Sequence, residues 1–150
     1  MMKKILFDEI KNHKYDLIIY PAEFFELRIQ EEIVRSEENN SSFVYIEILF
    51  NSLKDSFDNH TTERRFWESA IRGISIKKRG SDVFGFLQEE NGLGLLLLDS
   101  KIDGWLRLQD RINEFCKITI GDISDILKKG TKAFVYPSCI EGVAGSSPPC

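Results

Sequence analysis

Three observations predict an α+β fold. Arg79 to Ser100, RGSDVFGFLQEENGLGLLLLDS, places two apolar runs on either side of Asn91-Gly92, the form of a β-hairpin. Phe43 to Phe50, FVYIEILF, is β-branched and aromatic between polar flanks, the composition of a central strand. Three further stretches repeat apolar residues at helical spacing: Phe25, Ile29, Ile33; Trp67, Ala70, Ile71, Ile74; and Ile102, Trp105, Leu108, Ile112, Phe115. The order is helix, strand, helix, hairpin, helix, strand. Helices packed on one face of a mostly antiparallel sheet would bury these stripes, giving a two-layer sandwich of ferredoxin-like kind.

Residues 1–20 read as an N-terminal extension, with a short helix carrying Ile5, Leu6 and Ile10 and an extended run from Tyr15 to Tyr20. Pro21 suits the first turn of a helix, because its missing N–H has no partner there anyway. The helix should end near Glu37, with Phe24, Leu27 and Val34 broadening its apolar stripe. Asn51 to Thr62 is polar loop, where Leu53 and Phe57 suit a short helical turn. The Trp67 helix follows, with Glu63 in its first turn.

At the hairpin, Asn-Gly is the preferred pair for a type I′ turn, whose central residues both need positive φ. Continuous rather than alternating apolar residues on both arms suggest strands covered on both faces. Ser100 then offers an N-cap with Asp103 three residues on, and the helix at 101–116 should fold back over the hairpin. Ile118 to Ile120 reads as a short strand. Asp122 to Lys129 is helical with Gly130 as its stop, and Thr131 to Tyr136 is a last strand. The domain proper is 21–138, and 139–150, IEGVAGSSPPC after Cys139, is expected to be a flexible tail.

A chain of 150 residues is enough for one domain with a real core. A net charge of −4 argues against nonspecific nucleic-acid binding. Cys116, Cys139 and Cys150 are too far apart to pair as metal ligands, which fits a reducing, cytoplasmic setting. The start, MMKKILFDEI, turns acidic too early for a signal peptide, and no run reaches the roughly 18 apolar residues of a membrane span.

The run FFELRIQEEIVRSEENNSSFVYIEILF resembles the opening of GGDEF domains: a helix ending in Arg, a polar loop, then the first core strand. RGSDVFGFLQEENGLGLLLLDS resembles that family's R-x-x-D, strand, GGDEF turn and second strand. The resemblance spans roughly residues 24–116 and implies the nucleotide-cyclase palm fold. Active members condense two GTP molecules to cyclic di-GMP; in them the Gly-Gly pair lets the backbone approach the nucleotide, and an acidic third residue helps bind metal. Here the turn reads Gln88-Glu89-Glu90-Asn91-Gly92 or, shifted, Glu90-Asn91-Gly92-Leu93-Gly94. Neither register gives Gly-Gly followed by adjacent carboxylates. Glu47 falls near the family's first metal-binding acid, Leu49 stands where a second acid often lies, and NSLKDSFDNH lacks the expected Phe-Lys and Asn-Asp pairs. Two-metal phosphoryl chemistry needs converging carboxylates. With at most Glu47 and Glu90 in place, the chain reads as non-catalytic, Mg²⁺ and GTP are not expected to be used, and Glu47, Glu90, Asn91 and Gly92 are vestigial active-site positions.

Arg79 and Asp82 are the candidate ligand-binding residues. In some members the R-x-x-D pair grips cyclic di-GMP, and the resemblance makes that nucleotide a possible ligand here; the alternative is that both residues frame the turn into the strand. Glu47 reads as a vestigial ligand or as an outward-facing sheet residue. Lys77-Lys78-Arg79, His13 and His60 read as solvated surface, and Trp67 and Trp105 as core. The expected role is signalling or regulation by protein–protein contact, in a bacterial exopolysaccharide or cyclic di-GMP pathway, with no nucleic-acid partner. The partner's identity is not written in the sequence, and monomer and homodimer are both compatible with it.

Overall fold

The computed structural model describes residues 4–6, 8, 18–76 and 82–137. Its elements are β1 (Ile19–Tyr20), α1 (Ala22–Asn39), β2 (Phe43–Leu49), α2 (Phe50–Lys54), α3 (His60–Ile76), β3 (Val83–Phe86), a 3₁₀ turn (Gln88–Glu90), β4 (Gly92–Leu98), α4 (Ile102–Thr119), α5 (Ser124–Gly130) and β5 (Thr131–Tyr136). The five strands are ordered β1-β3-β4-β2-β5. Among the described residues only the β1–β3 pair is parallel; the other three ladders are antiparallel, as the sequence predicts. The fold is α+β.

The pleat divides the sheet's side chains between two clusters. Val44, Ile46, Ile48, Leu93, Leu95 and Leu97 pack under α3 and α4, against Trp67, Ile71, Trp105 and Ile112. Leu96, Leu98, Phe43 and Leu87 face the other way and pack with Phe25, Ile29 and Ile33 of α1. α1 therefore lies across the face opposite to α3 and α4, so the helices cover both faces of the sheet and not the single face expected, and every residue of β4 is buried. That agrees with the doubly covered strands read from the leucine run. Trp67 and Trp105 are core, as expected. Ile5 and Leu6 are helical and buried in the α3–α4 cluster. Residues 1–3, 7 and 9–14 of the expected first helix, His13 among them, the Lys77-Lys78-Arg79 cluster, Cys139 and the tail lie outside the described residues.

Several local expectations are corrected. The left-handed residues at the hairpin tip are Glu89 and Glu90 (φ 57° and 54°), whereas Asn91 has φ −89° and Gly92 already belongs to β4. The register explains this. Leu87 N–H donates to the Gly92 carbonyl at 2.9 Å, so the loop lies inside that pair and Gly92 cannot be its apex. Gly92 is needed for space instead: a Cβ there would sit 2.6 Å from the Ile48 carbonyl oxygen of the neighbouring strand. Ile118 to Ile120 is no strand, because α4 runs on to Thr119, leaving Ile118 85 % exposed. Ser100 does not cap α4: its hydroxyl donates to the Leu98 carbonyl, and Lys101 holds the cap position. Phe24, Leu27 and Val34 do not broaden the buried stripe of α1; all three are more than half exposed.

Candidate functional site

The C-terminal end of β2, the N-terminal half of α1 and the hairpin tip converge on one pocket of about 330 Å³. α1 reaches it because Phe25 seats on Gly85 and Gly94, paired across β3 and β4, where any side chain would collide with the ring. β2 delivers Tyr45, Glu47 and Leu49 to the same wall, since alternate residues share a face. The rim comes from the hairpin, where Asn91 offers its carbonyl to Phe50 N–H at 3.0 Å and ties the tip to the end of β2.

Two hydrogen bonds organise the charge. Tyr45 Oη donates to Glu47 Oε2 at 2.8 Å. Gln88 Nε2 donates to Glu26 Oε1 at 2.7 Å, a strap from the hairpin to α1 across the pocket mouth. Burial, followed by the Glu47 bond and the Glu47 and Glu26 charges, holds the Tyr45 hydroxyl well above the ordinary tyrosine range. The pocket lining is thus acidic and aromatic, with no basic side chain among its lining residues. Lys132 lies opposite Glu47 on the β2–β5 ladder.

Of the four positions that the resemblance marks as vestigial, Glu47 and Asn91 share this pocket. Glu90 does not: with Glu23 and Glu89 it lines a separate depression of about 480 Å³ beyond the start of α1. Gly92 is buried in β4. Among the described residues, no three His, Cys, Asp or Glu side chains come together in a way that could hold a metal ion.

Asp82 stands elsewhere, just before β3, in a third cavity of about 500 Å³. Arg107 and Arg111 of α4 line it as well, with Asp99 and Lys101. Arg107 is engaged by Asp103 at 2.9 Å, and Arg111 Nε donates to the Gly73 carbonyl at 3.4 Å. Arg79, the other half of the sequence pair, lies outside the described residues. Sequence reasoning missed the two α4 arginines, which are some 25 residues from Asp82 on a helix whose polar face reads as plain surface. Their spacing of four, which puts both on one side of α4, is the signal that was available.

His60 is largely exposed, as expected, with Nδ1 3.4 Å from Glu63 Oε2. No helix among the described residues is long and apolar enough to cross a membrane.

The sequence matches no protein-family model, and no curated protein is significantly similar to it. Solved structures are similar in fold. The isolated GGDEF domain of YfiN (TpbB) from Pseudomonas aeruginosa superposes with a TM-score of 0.55 at 20% identity, over 80% of this chain and 73% of that one. A DGC protein from Thermotoga maritima gives 0.52 at 11% identity, over 81% and 85%. The coiled coil and GGDEF domain of DgcB from Caulobacter crescentus, in complex with c-di-GMP, gives 0.50 at 8% identity, over 86% and 72%. These superpositions show the fold: the chain has the GGDEF-domain fold of the nucleotide-cyclase palm.

Proposed function

We propose that this is a non-catalytic GGDEF-like domain that works by protein–protein contact in bacterial, cytoplasmic signalling, in a cyclic di-GMP or exopolysaccharide pathway. The observation that carries the reading is the mouth of the α1–hairpin pocket. Where active relatives need bare backbone for the nucleotide, Gln88 reaches over to Glu26, and where a second acid would help hold a cation, Leu49 lines the wall. The one carboxylate in the strands of the described residues, Glu47, is engaged by a neutral tyrosine hydroxyl. A cation pair facing triphosphate needs several converging carboxylate oxygens. The donors present fit that requirement poorly, so no catalytic step is assigned to Mg²⁺ or GTP. Incubation with GTP and Mg²⁺ is expected to give no cyclic di-GMP; product would sink the reading.

A second reading has its own support. The cavity beside β3 brings Asp82 together with Arg107 and Arg111, and guanidinium forks with a carboxylate suit the phosphates and guanine edges of cyclic di-GMP. The DgcB domain similar to this chain was solved with that nucleotide. Calorimetry decides: saturable binding lost in both Asp82→Ala and Arg111→Ala makes the chain a receptor, and absence of heat returns it to pure protein contact.

A further inference from the structure

α1 has two opposite faces of different character. Phe25, Ile29 and Ile33 pack on the sheet, and Glu32 and Ser36 are buried on the same side. On the far side Phe24, Leu27, Glu31, Val34 and Glu38 follow one another in alternating steps of three and four, the spacing by which one helix seats along another. That stripe is open: Phe24, Leu27 and Val34 are 57, 55 and 53 % exposed, and Glu31 and Glu38 are exposed with them. Single exposed apolar side chains are ordinary, but three in line over about 15 Å of helix make a patch. Its charge has one sign. Arg28 and Arg35, the cations of α1, both turn onto the buried Glu32, at 3.0 and 3.7 Å. Among the described residues no cation pairs with Glu31 or Glu38, nor with Glu23 on the flank of the stripe.

We propose that this outward face of α1 docks a basic, amphipathic helix of another protein. The partner's apolar side chains seat among Phe24, Leu27 and Val34, and its Lys or Arg heads meet Glu31 and Glu38 in the seam and Glu23 beside it. Charge selects this occupant over a second copy, because a two-fold contact is self-complementary. In a parallel pair of α1 helices Glu31 would face Glu31 and Glu38 would face Glu38. An antiparallel pair would lay the edge of Glu23 and Glu37 against itself, and the edge of Arg28 and Arg35 against itself. Either arrangement sets like charges together, which is costly. A nucleotide, a nucleic acid or an anionic lipid surface would likewise bring negative charge to carboxylates. A basic helix covers the apolar residues and supplies the cations that the stripe, on a chain of net charge −4, lacks.

The inference rests on the reading of the domain as one that acts by contact, and deepens it by naming the surface and the partner's chemistry. The test titrates the full chain with a Lys/Leu amphipathic helical peptide and with a Glu/Leu peptide of the same pattern, followed by fluorescence anisotropy. The Lys/Leu peptide is expected to bind, less tightly as salt rises, and the Glu/Leu peptide not to bind. Phe24→Ala combined with Leu27→Ala should weaken binding by about tenfold. Glu31→Lys combined with Glu38→Lys should reverse the preference, so that the Glu/Leu peptide binds instead. The same charge change on α4, Asp110→Lys with Glu114→Lys, should leave the affinity of the Lys/Leu peptide as it was. All the side chains replaced are exposed, so the variants should keep the fold, which circular dichroism checks. No binding, no reversal, unchanged affinity without Phe24 and Leu27, or an equal loss in the α4 variant overturns the proposal. So does a dimer in sedimentation that Phe24→Ala with Leu27→Ala dissolves, which would assign the stripe to a second copy. Cyclic di-GMP produced from GTP would defeat the wider reading whatever the peptides do; a silent peptide with no such product defeats only the docking surface.

Discussion

The ring of Phe25 occupies the space that a side chain on Gly94 would need. Gly94 is paired with Gly85 across the β3–β4 ladder, and the ring lies over both. This contact sets how closely α1 approaches the sheet, and so fixes the height of the pocket wall that carries Glu26.

Gly94→Ala is therefore expected to destabilise the domain by about 1–3 kcal/mol, the usual cost of forcing a methyl into a packed core. Urea denaturation measures it. The same change made in a Phe25→Ala background should cost clearly less, since the obstructing ring is gone. Equal costs in both backgrounds would mean that Phe25 does not hold this position.

Glu89→Gly is expected to stabilise. Left-handed backbone costs a residue with a Cβ roughly 1–2 kcal/mol, and Glu89 sits there at φ 57°. Glycine removes that strain but adds unfolded-state freedom of about 0.5–1 kcal/mol, leaving a net gain of roughly 0.5–1 kcal/mol. A lower urea midpoint in the variant would contradict the turn geometry.

Tyr45 makes stability fall at alkaline pH. Its folded-state pKa is raised, chiefly by burial and then by Glu47, above the ordinary 10.0 of an unfolded tyrosine. Below that value both states keep the proton and the contribution is whole. As pH climbs past it, the unfolded chain ionises while the folded one holds its proton, so stability declines with rising pH. Urea midpoints taken from neutral pH to about pH 11 should fall more steeply in the wild type than in Tyr45→Phe. Parallel curves would show that the hydroxyl is not held as described.

Burial pushes the Cys116 thiol up to about 11, partly offset by the Ser69 hydroxyl. Near pH 8 almost none of it is thiolate, and the side chain has no exposed surface. Iodoacetamide should leave the Cys116 peptide unlabelled in native protein and label it in urea, as mass mapping would reveal. Native labelling at the urea rate would argue against this packing.

The elements that sequence displays well are those with one strong period. The FVYIEILF strand, the Trp67 and Trp105 helices and the leucine run all announce themselves, because burial on a fixed face dictates residue type at fixed spacing. α1 was harder to orient. Phe24, Leu27 and Val34 read as extra core but project outward, since Phe25, Ile29 and Ile33 with Glu32 and Ser36 already fill the sheet-facing side. The hairpin apex misled for another reason. Asn91-Gly92 has the right chemistry for the turn, but ladder register and the nearness of Ile48 claimed Gly92 for the strand. Of the site, the resemblance singled out Glu47, Glu90, Asn91 and Gly92, but not that Glu47 and Asn91 share a pocket while Glu90 lines another. The strap from Gln88 to Glu26 and the placement of Arg107 and Arg111 near Asp82 depend on contacts between distant parts of the chain, which no local pattern records.

β4 runs GLGLLLL, with no charge along its length and every residue buried. Two helices shield one side of it, while the other relies on α1 alone among the described elements. An uncharged, leucine-rich strand of this kind is the sort of segment that stacks into fibrils when laid bare. α1 consequently acts as a guard: how firmly Phe25 stays seated governs whether the protein remains dispersed at high concentration, well before the whole domain unravels.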